Sequence, residues 1–180
     1  LIPHSQLLKE AKLWSNYETD YSPILKWCKS NSVPFVATNV PRRYASVVAK
    51  KGLDKLKEID KKAKKYICPL PLKVNYTTRS YEEMKDMFAM HGGGINYINA
   101  QALKDATMAY SIQEYEKKSD CLFHINGAYH TKYNEGIIAF LSKNTKSIIT
   151  IGIWVAEDGT MNKDAFEQND ITIVVPEIKK

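Results

Sequence analysis

Long apolar runs are missing from the 180 residues: none approaches the roughly 18 that a membrane-spanning helix requires, so a helical span is excluded. The charged-then-apolar layout of a signal peptide is missing too, and the chain opens on Leu1 instead of Met, so upstream residues are expected to have been removed. Cysteine is scarce. Cys28, Cys68 and Cys121 are widely spaced with no C-x-x-C pair, which excludes the common zinc and dithiol motifs and leaves buried thiols as the expectation. Arginine is absent from the most basic stretch, where Lys50, Lys51, Lys55, Lys57, Lys61, Lys62, Lys64 and Lys65 alternate with Asp54, Glu58 and Asp60. A nucleic-acid groove wants arginine interleaved with stacking aromatics, and only Tyr66 closes this run. It reads as a solvated helical face, and no nucleic-acid partner is expected. The net charge of +6 still leaves a general attraction for an acidic ligand.

What is present is a core. An apolar content of 44% over this length supplies one ordinary globular domain. Apolar residues at three- and four-residue spacing from Gln6 to Ser30 predict two helices or one interrupted helix, with Asp20 or Ser22 as the cap and Pro23 in the first turn of the second piece. Val33 to Thr38 reads as a short buried strand, followed by helices over Arg42 to Ala49 and Leu53 to Tyr66. Ser80 with Glu83 makes a capping box for a helix that stops at Gly92-Gly93-Gly94, and Tyr97 to Lys118 is the longest periodic segment. Cys121 to Ile125, Ile148 to Val155 and Ile171 to Val175 read as further strands, with a short helix at Gly136 to Leu141. Strands that are apolar throughout and alternate with helices predict an α/β fold, a mostly parallel sheet covered by helices on both faces.

Ligands of open α/β sheets sit beyond the carboxyl ends of the strands, which directs attention to two loops, Asn39-Val-Pro-Arg-Arg-Tyr44 and Asn126-Gly-Ala-Tyr-His130. Both are expected on one edge of the sheet. Arg42 and Arg43 carry planar donor forks suited to carboxylates or phosphates, and two at a helix start repel unless an anion sits nearby. His130 has the chemistry of a metal or haem-iron ligand, or of a general base. Phenolate is an attested ligand of ferric haem, which brings in Tyr21, Tyr129 and Tyr133, and Tyr44 offers a ring face to an apolar macrocycle. His91, just ahead of the three glycines, is a further candidate, whereas His124 lies among apolar neighbours and reads as a satisfied core histidine.

Four blocks in order carry a resemblance: Asn16-Tyr-Glu-Thr-Asp-Tyr-Ser-Pro23, Asn39-Val-Pro-Arg-Arg43, Ala100-Gln-Ala-Leu-Lys-Asp-Ala-Thr-Met-Ala109, and Asn126-Gly-Ala-Tyr-His130 with Glu135-Gly136. From Tyr17 to about Val175 the chain resembles the ChaN-like haem-binding uptake proteins of the Tiki superfamily. The resemblance implies a single ChaN/Tiki-like domain over residues 1–180 that binds haem (iron protoporphyrin) for iron uptake at the bacterial cell envelope. It also implies a periplasmic protein or outer-membrane lipoprotein, touching the membrane only through a missing lipid anchor, with haem held at a homodimer interface. The cofactor residues would come from Tyr21, Arg42, Arg43, His91, Tyr129, His130 and Tyr133, with His130 as metal ligand and the arginines at the propionates. The superfamily carries two G-x-x-H elements. Gly127-Ala-Tyr-His130 is similar to the second, whereas the first, a Gly-Glu-x-His segment at the end of a leading strand, is absent from these residues. The domain is therefore expected to lack its first strand. The alternative is a metal-dependent peptidase or esterase, like the Tiki peptidases and erythromycin esterases, using His130 as base and Arg43 at an oxyanion. With half of that constellation missing, no hydrolysis is expected of this chain.

Overall fold

The computed structural model describes residues 4–90, 94–141, 145, 147–156 and 163–177. The chain divides into two compact units, Leu1–Ala37 and Thr38–Lys180.

The first unit holds helix α1 (His4–Glu10), a π-helical turn at Tyr17–Tyr21, and helix α2 (Ser22–Ser30). Pro23 occupies the first turn of α2 as expected, but neither predicted cap forms. Asp20 instead accepts the Asn16 side-chain amide at 2.6 Å, and the Ser22 hydroxyl is buried with no hydrogen-bond partner among the described residues. Asn31 closes the other end, its side-chain amide donating to the Trp27 carbonyl at 2.9 Å. The predicted strand at Val33 to Thr38 does not form: the segment joins no ladder among the described residues, and Val33 and Phe35 are 42% and 55% exposed. Pro34 in its middle has no N–H to donate, which unsuits the segment to the interior of a sheet.

The second unit is built around one long helix. Its elements are α3 (Arg42–Lys51), α4 (Arg79–Met90), α5 (Ile95–Glu116), α6 (Ile137–Phe140), β1 (Ile151–Ala156) and β2 (Ile171–Pro176). From Ile98 to Ala109 every residue of α5 is buried except Lys104, so α5 is a core helix and not the one-sided helix its apolar spacing suggests. Tyr44, Ala45 and Val48 of α3 pack on Ala100, Leu103 and Ala106 of α5, together with Leu56, Ile67 and Cys68 of the connection. Tyr81 and Met84 of α4 pack on Ile98 and Ala102. The polar residues that α5 buries are matched: Asn99 accepts the Tyr76 hydroxyl at 2.7 Å and Thr107 accepts the Cys68 amide at 3.2 Å.

Other expectations need correction. The lysine-rich stretch is two short 3-10 turns, Leu53–Glu58 and Ala63–Tyr66, divided where Asp60 accepts the Lys62 amide at 2.6 Å. The capping box at Ser80 and Glu83 does not form, because Glu135 supplies the cap from 55 residues away in sequence. Its two oxygens accept the Arg79 and Ser80 amides at 3.0 and 2.7 Å. The predicted strand at Cys121 to Ile125 has no ladder partner among the described residues, and Cys121 is exposed, unlike Cys28 and Cys68. β1 and β2 do pair in parallel, Ile151 opposite Ile171, as a two-stranded sheet in a helix-rich α/β arrangement. The ladder starts at Ile151 because Thr150 is caught by Asp170: Thr150 N–H donates to the carboxylate at 2.7 Å and Asp170 N–H donates back to the hydroxyl at 2.9 Å.

Candidate functional site

His130 stands at the end of a 3-10 turn, Ala128–His130, that follows the irregular segment 121–126. The turn closes on itself, His130 N–H donating to the Gly127 carbonyl at 2.9 Å. Under the imidazole lies α5, and two of its residues one turn apart, Gln101 and Asp105, meet the ring. Asp105 is fully buried; one carboxylate oxygen holds Nδ1 of His130 and the other accepts the Tyr81 hydroxyl at 2.7 Å. The Gln101 side-chain amide nitrogen lies 2.9 Å from the same Nδ1; both are donors when Nδ1 carries the ring proton, so Gln101 is then a neighbour of the ring and Asp105 its hydrogen-bond partner.

Burial pushes the Asp105 carboxyl up, while hydrogen bonds from His130 and Tyr81 and the charge of Lys104 pull the other way. Burial, and after it the Asp105 charge, holds the Tyr81 phenol far above its ordinary value, so it serves as a fixed donor. A carboxylate on Nδ1 keeps the proton there and leaves the lone pair on Nε2. Nε2 has no hydrogen-bond partner among the described residues, and the side chain is 17% exposed. This imidazole is oriented to ligate a metal or accept a proton.

The loop carrying it is clamped from behind. Gly136 adopts φ 57°, and a Cβ there would run into the His130 carbonyl oxygen, so glycine is required where the chain turns back against Asp105. Buried Lys132 is paired with Glu83 of α4, which also accepts the Tyr133 hydroxyl at 2.9 Å. Burial pushes Glu83 up, but those two hydrogen bonds and the Lys132 charge outweigh it and hold the carboxyl below its ordinary value. The Tyr133 phenol is pushed up to about 12 by burial and by Glu83.

The residues singled out from the sequence separate accordingly. Tyr133 has its oxygen committed to Glu83. Tyr129 is 41% exposed beside His130, with the Lys132 ammonium 3.9 Å from its ring centre. Arg43 lies over the Tyr44 ring at 4.8 Å and lines an open groove of about 490 Å³ with Lys62, Lys65 and Tyr66. Tyr44 is itself a core residue, 8% exposed, so it offers no broad ring face to a ligand. Arg42, next to Arg43 at the head of α3, is exposed, and its charge is felt by Lys104. Tyr21 belongs to the first unit, its ring 4.9 Å from that of Trp14. His91 lies outside the described residues. His124 is satisfied as expected, with Thr38 Oγ1 and Asn126 Oδ1 each 2.9 Å from one ring nitrogen, but it is not a core residue: it is only partly buried and its neighbours Phe123 and Ile125 are exposed. Sequence reasoning missed Asp105, Gln101 and Tyr81. The i, i+4 spacing of Gln101 and Asp105 among alanines was the available signal, because it puts two polar groups on one close-packed face.

Residues 1–141 match the family model described as haem-binding uptake, Tiki superfamily, ChaN. The chain belongs to this family. The match takes in every residue of the His130 site in this ChaN-like chain and ends ahead of β1 and β2. No curated protein and no solved structure matches it.

The donor set at the site fits the family's ligand. Among the described residues no three His, Cys, Asp or Glu side chains come close enough together to hold a bare metal ion. A bare ion needs about four ligands, most of them from protein, whereas iron in a porphyrin needs only an axial donor. A single oriented imidazole beside an exposed phenol is what this ChaN-like site presents.

Proposed function

We propose that the protein binds haem for uptake, and that His130 would hold its iron through Nε2. The observation that carries this reading is an imidazole Nε2 with no partner among the described residues, on a ring whose Nδ1 is anchored on a fully buried carboxylate. Asp105 and Tyr81 fix the ring direction, and the Lys132–Glu83 pair holds the loop. Tyr129 is the neighbouring oxygen donor. Bound haem would supply the iron centre, and ligand supply and positioning are this chain's part.

The family's role in uptake supports placing the protein at the bacterial cell envelope, as a periplasmic protein or outer-membrane lipoprotein that dimerises through its haem face. Among the described residues no helix is long and apolar enough to cross a membrane. β1 and β2 belong, in this reading, to a larger parallel sheet covered by helices on both faces. In support, Ile151, Ile153, Val155 and Phe123 are 50%, 72%, 52% and 81% exposed, an apolar surface that parallel sheets bury.

Titration of the purified protein with hemin tests the proposal: a saturable Soret change is expected, lost in His130→Ala and preserved in Tyr133→Phe. Saturable binding that survives His130→Ala would refute the ligand assignment. The same Asp105–His130 pair has the form of a general base, which is the specific feature favouring the hydrolytic reading. Arg43, the group that reading asks for at an oxyanion, is stacked on Tyr44. Peptide or ester turnover abolished by His130→Ala would favour the hydrolase over the haem protein.

A further inference from the structure

The lysine-rich connection between α3 and α4 is a motif of the sequence that the His130 site leaves unused. Residues 42–66 hold ten lysines and arginines against three carboxylates, a local +7 where the whole chain carries +6, so the rest of the protein is close to neutral. Leu53, Leu56 and Ile59 recur every third residue, the period of a 3-10 turn, and all three join the core that α3 and α5 share. Ile67 and Cys68 anchor the far end in the same core, and the Lys64 ammonium donates to the Lys57 carbonyl at 3.1 Å, tying the second turn to the first. The lysines are therefore carried on a packed connection and not on a free tail.

Its own carboxylates do not neutralise it. Asp54 is taken by Lys57 at 2.5 Å and Glu58 by Lys55 at 2.6 Å, and Asp60 accepts the Lys62 backbone amide. Arg43, Lys50, Lys51, Lys61, Lys62 and Lys65 form no ion pair among the described residues. Two open grooves flank the turns. One, of about 490 Å³, takes Arg43, Lys62, Lys65 and the 59% exposed Tyr66, with Asp60 as its carboxylate. The other, of about 510 Å³, is walled by Pro69, Leu70 and Pro71 with Lys57 and Lys64 beside them. The grooves are neighbours, since the consecutive residues Lys64 and Lys65 line one each. A cation-rich notch beside an apolar one has the chemistry of an anionic lipid, phosphate above and hydrocarbon below. Nucleic acid suits it less, because Tyr66 is the segment's one exposed ring and a strand wants several to stack on.

We infer that residues 43–71 form a docking surface for an anionic phospholipid bilayer. Arg43, Lys62 and Lys65 meet headgroup phosphates, Tyr66 lies at the interface with its phenol toward water, and the wall at residues 69–71 rests on the upper acyl region. This does not depend on the haem reading, and it gives the folded domain a membrane contact apart from any anchor.

The test is cosedimentation of the full chain with vesicles of phosphatidylcholine, alone or mixed with phosphatidylglycerol. Binding is expected with the mixed vesicles only, and it should fall as salt is raised. Lys62→Gln together with Lys65→Gln should weaken it roughly 25-fold, about fivefold for each charge removed from an anionic surface, whereas Lys62→Arg together with Lys65→Arg should keep it. Lys29→Gln together with Lys118→Gln, outside the segment and equally charge-reducing, should leave it unchanged. Absence of binding to mixed vesicles, equal binding to both compositions, equal loss in the two glutamine pairs, or no loss in the Lys62, Lys65 pair would overturn the docking surface. So would a DNA or RNA duplex that binds more tightly than the mixed vesicles, which would make the patch a nucleic-acid surface.

Discussion

Replacing Tyr81 by Phe removes one oxygen from the interior and nothing else. The ring stays packed with Met84, Ile98 and Ala102, so no cavity opens. What is lost is the donor that reaches Asp105 at 2.7 Å, in a place where Tyr81 is 2% and Asp105 0% exposed. A hydrogen bond to a charged group contributes about 1.5–3 kcal/mol, and relief from burying the phenol oxygen puts the expected loss at the lower end, about 1.5 kcal/mol. For a chain of this size that corresponds to a fall of roughly 3–6 °C in thermal midpoint. The loss should depend on pH. Burial raises the Asp105 carboxyl in the folded state, so the stability this group contributes is fully present below its unfolded value, about 3.8, and is lost as pH rises through the folded value. Without the Tyr81 donor the folded value climbs further, so more is lost over the same rise. The deficit of Tyr81→Phe is therefore expected to be larger at pH 7 than at pH 4. Thermal melts of both proteins across that interval decide the matter. A deficit below about 0.5 kcal/mol at pH 7, or one of equal size at both ends, would show that Asp105 is not a charged acceptor held by Tyr81.

Three further outcomes are expected. Glu83→Gln leaves the buried Lys132 ammonium without its carboxylate and should cost about 3 kcal/mol, less than for a fully enclosed pair because Glu83 is 36% exposed; the same change should bring the Tyr133 phenol down from about 12, read by ultraviolet titration. Gly136→Ala puts a side chain at φ 57° and into the His130 carbonyl, so it should destabilise the protein by about 1–3 kcal/mol and weaken hemin binding by displacing the imidazole; unaltered Soret titration would contradict the described loop. Glu135→Ala strips the cap from the first turn of α4 and should cost about 1 kcal/mol or more, with faster amide exchange at Arg79 and Ser80 than at the middle of the helix.

The sequence by itself determined the local elements whose signals are local. The period of α5, the short helix beginning near Gly136, the β-branched run of β2 and the turn carrying His130 all depend on residues within a few positions of one another, and the structure has each of them. It also determined the family, because the blocks around Tyr17, Arg42, Ala100 and His130 are intact. Only tertiary structure decided what those residues do. The cap of α4 comes from Glu135, far along the chain, so a capping box read from Ser80 and Glu83 assigned Glu83 the wrong partner. Asp105 was not singled out by the helical spacing, which marks only its apolar neighbours. It is buried because α5 is surrounded on all sides, and a helix surrounded on all sides must match its polar groups with partners from other elements, here His130 and Tyr81. Such partners carry no fixed spacing in sequence. The direction in which His130 presents its lone pair is set by which nitrogen finds the carboxylate, and only the packing of the Ala128–His130 turn onto α5 settles that.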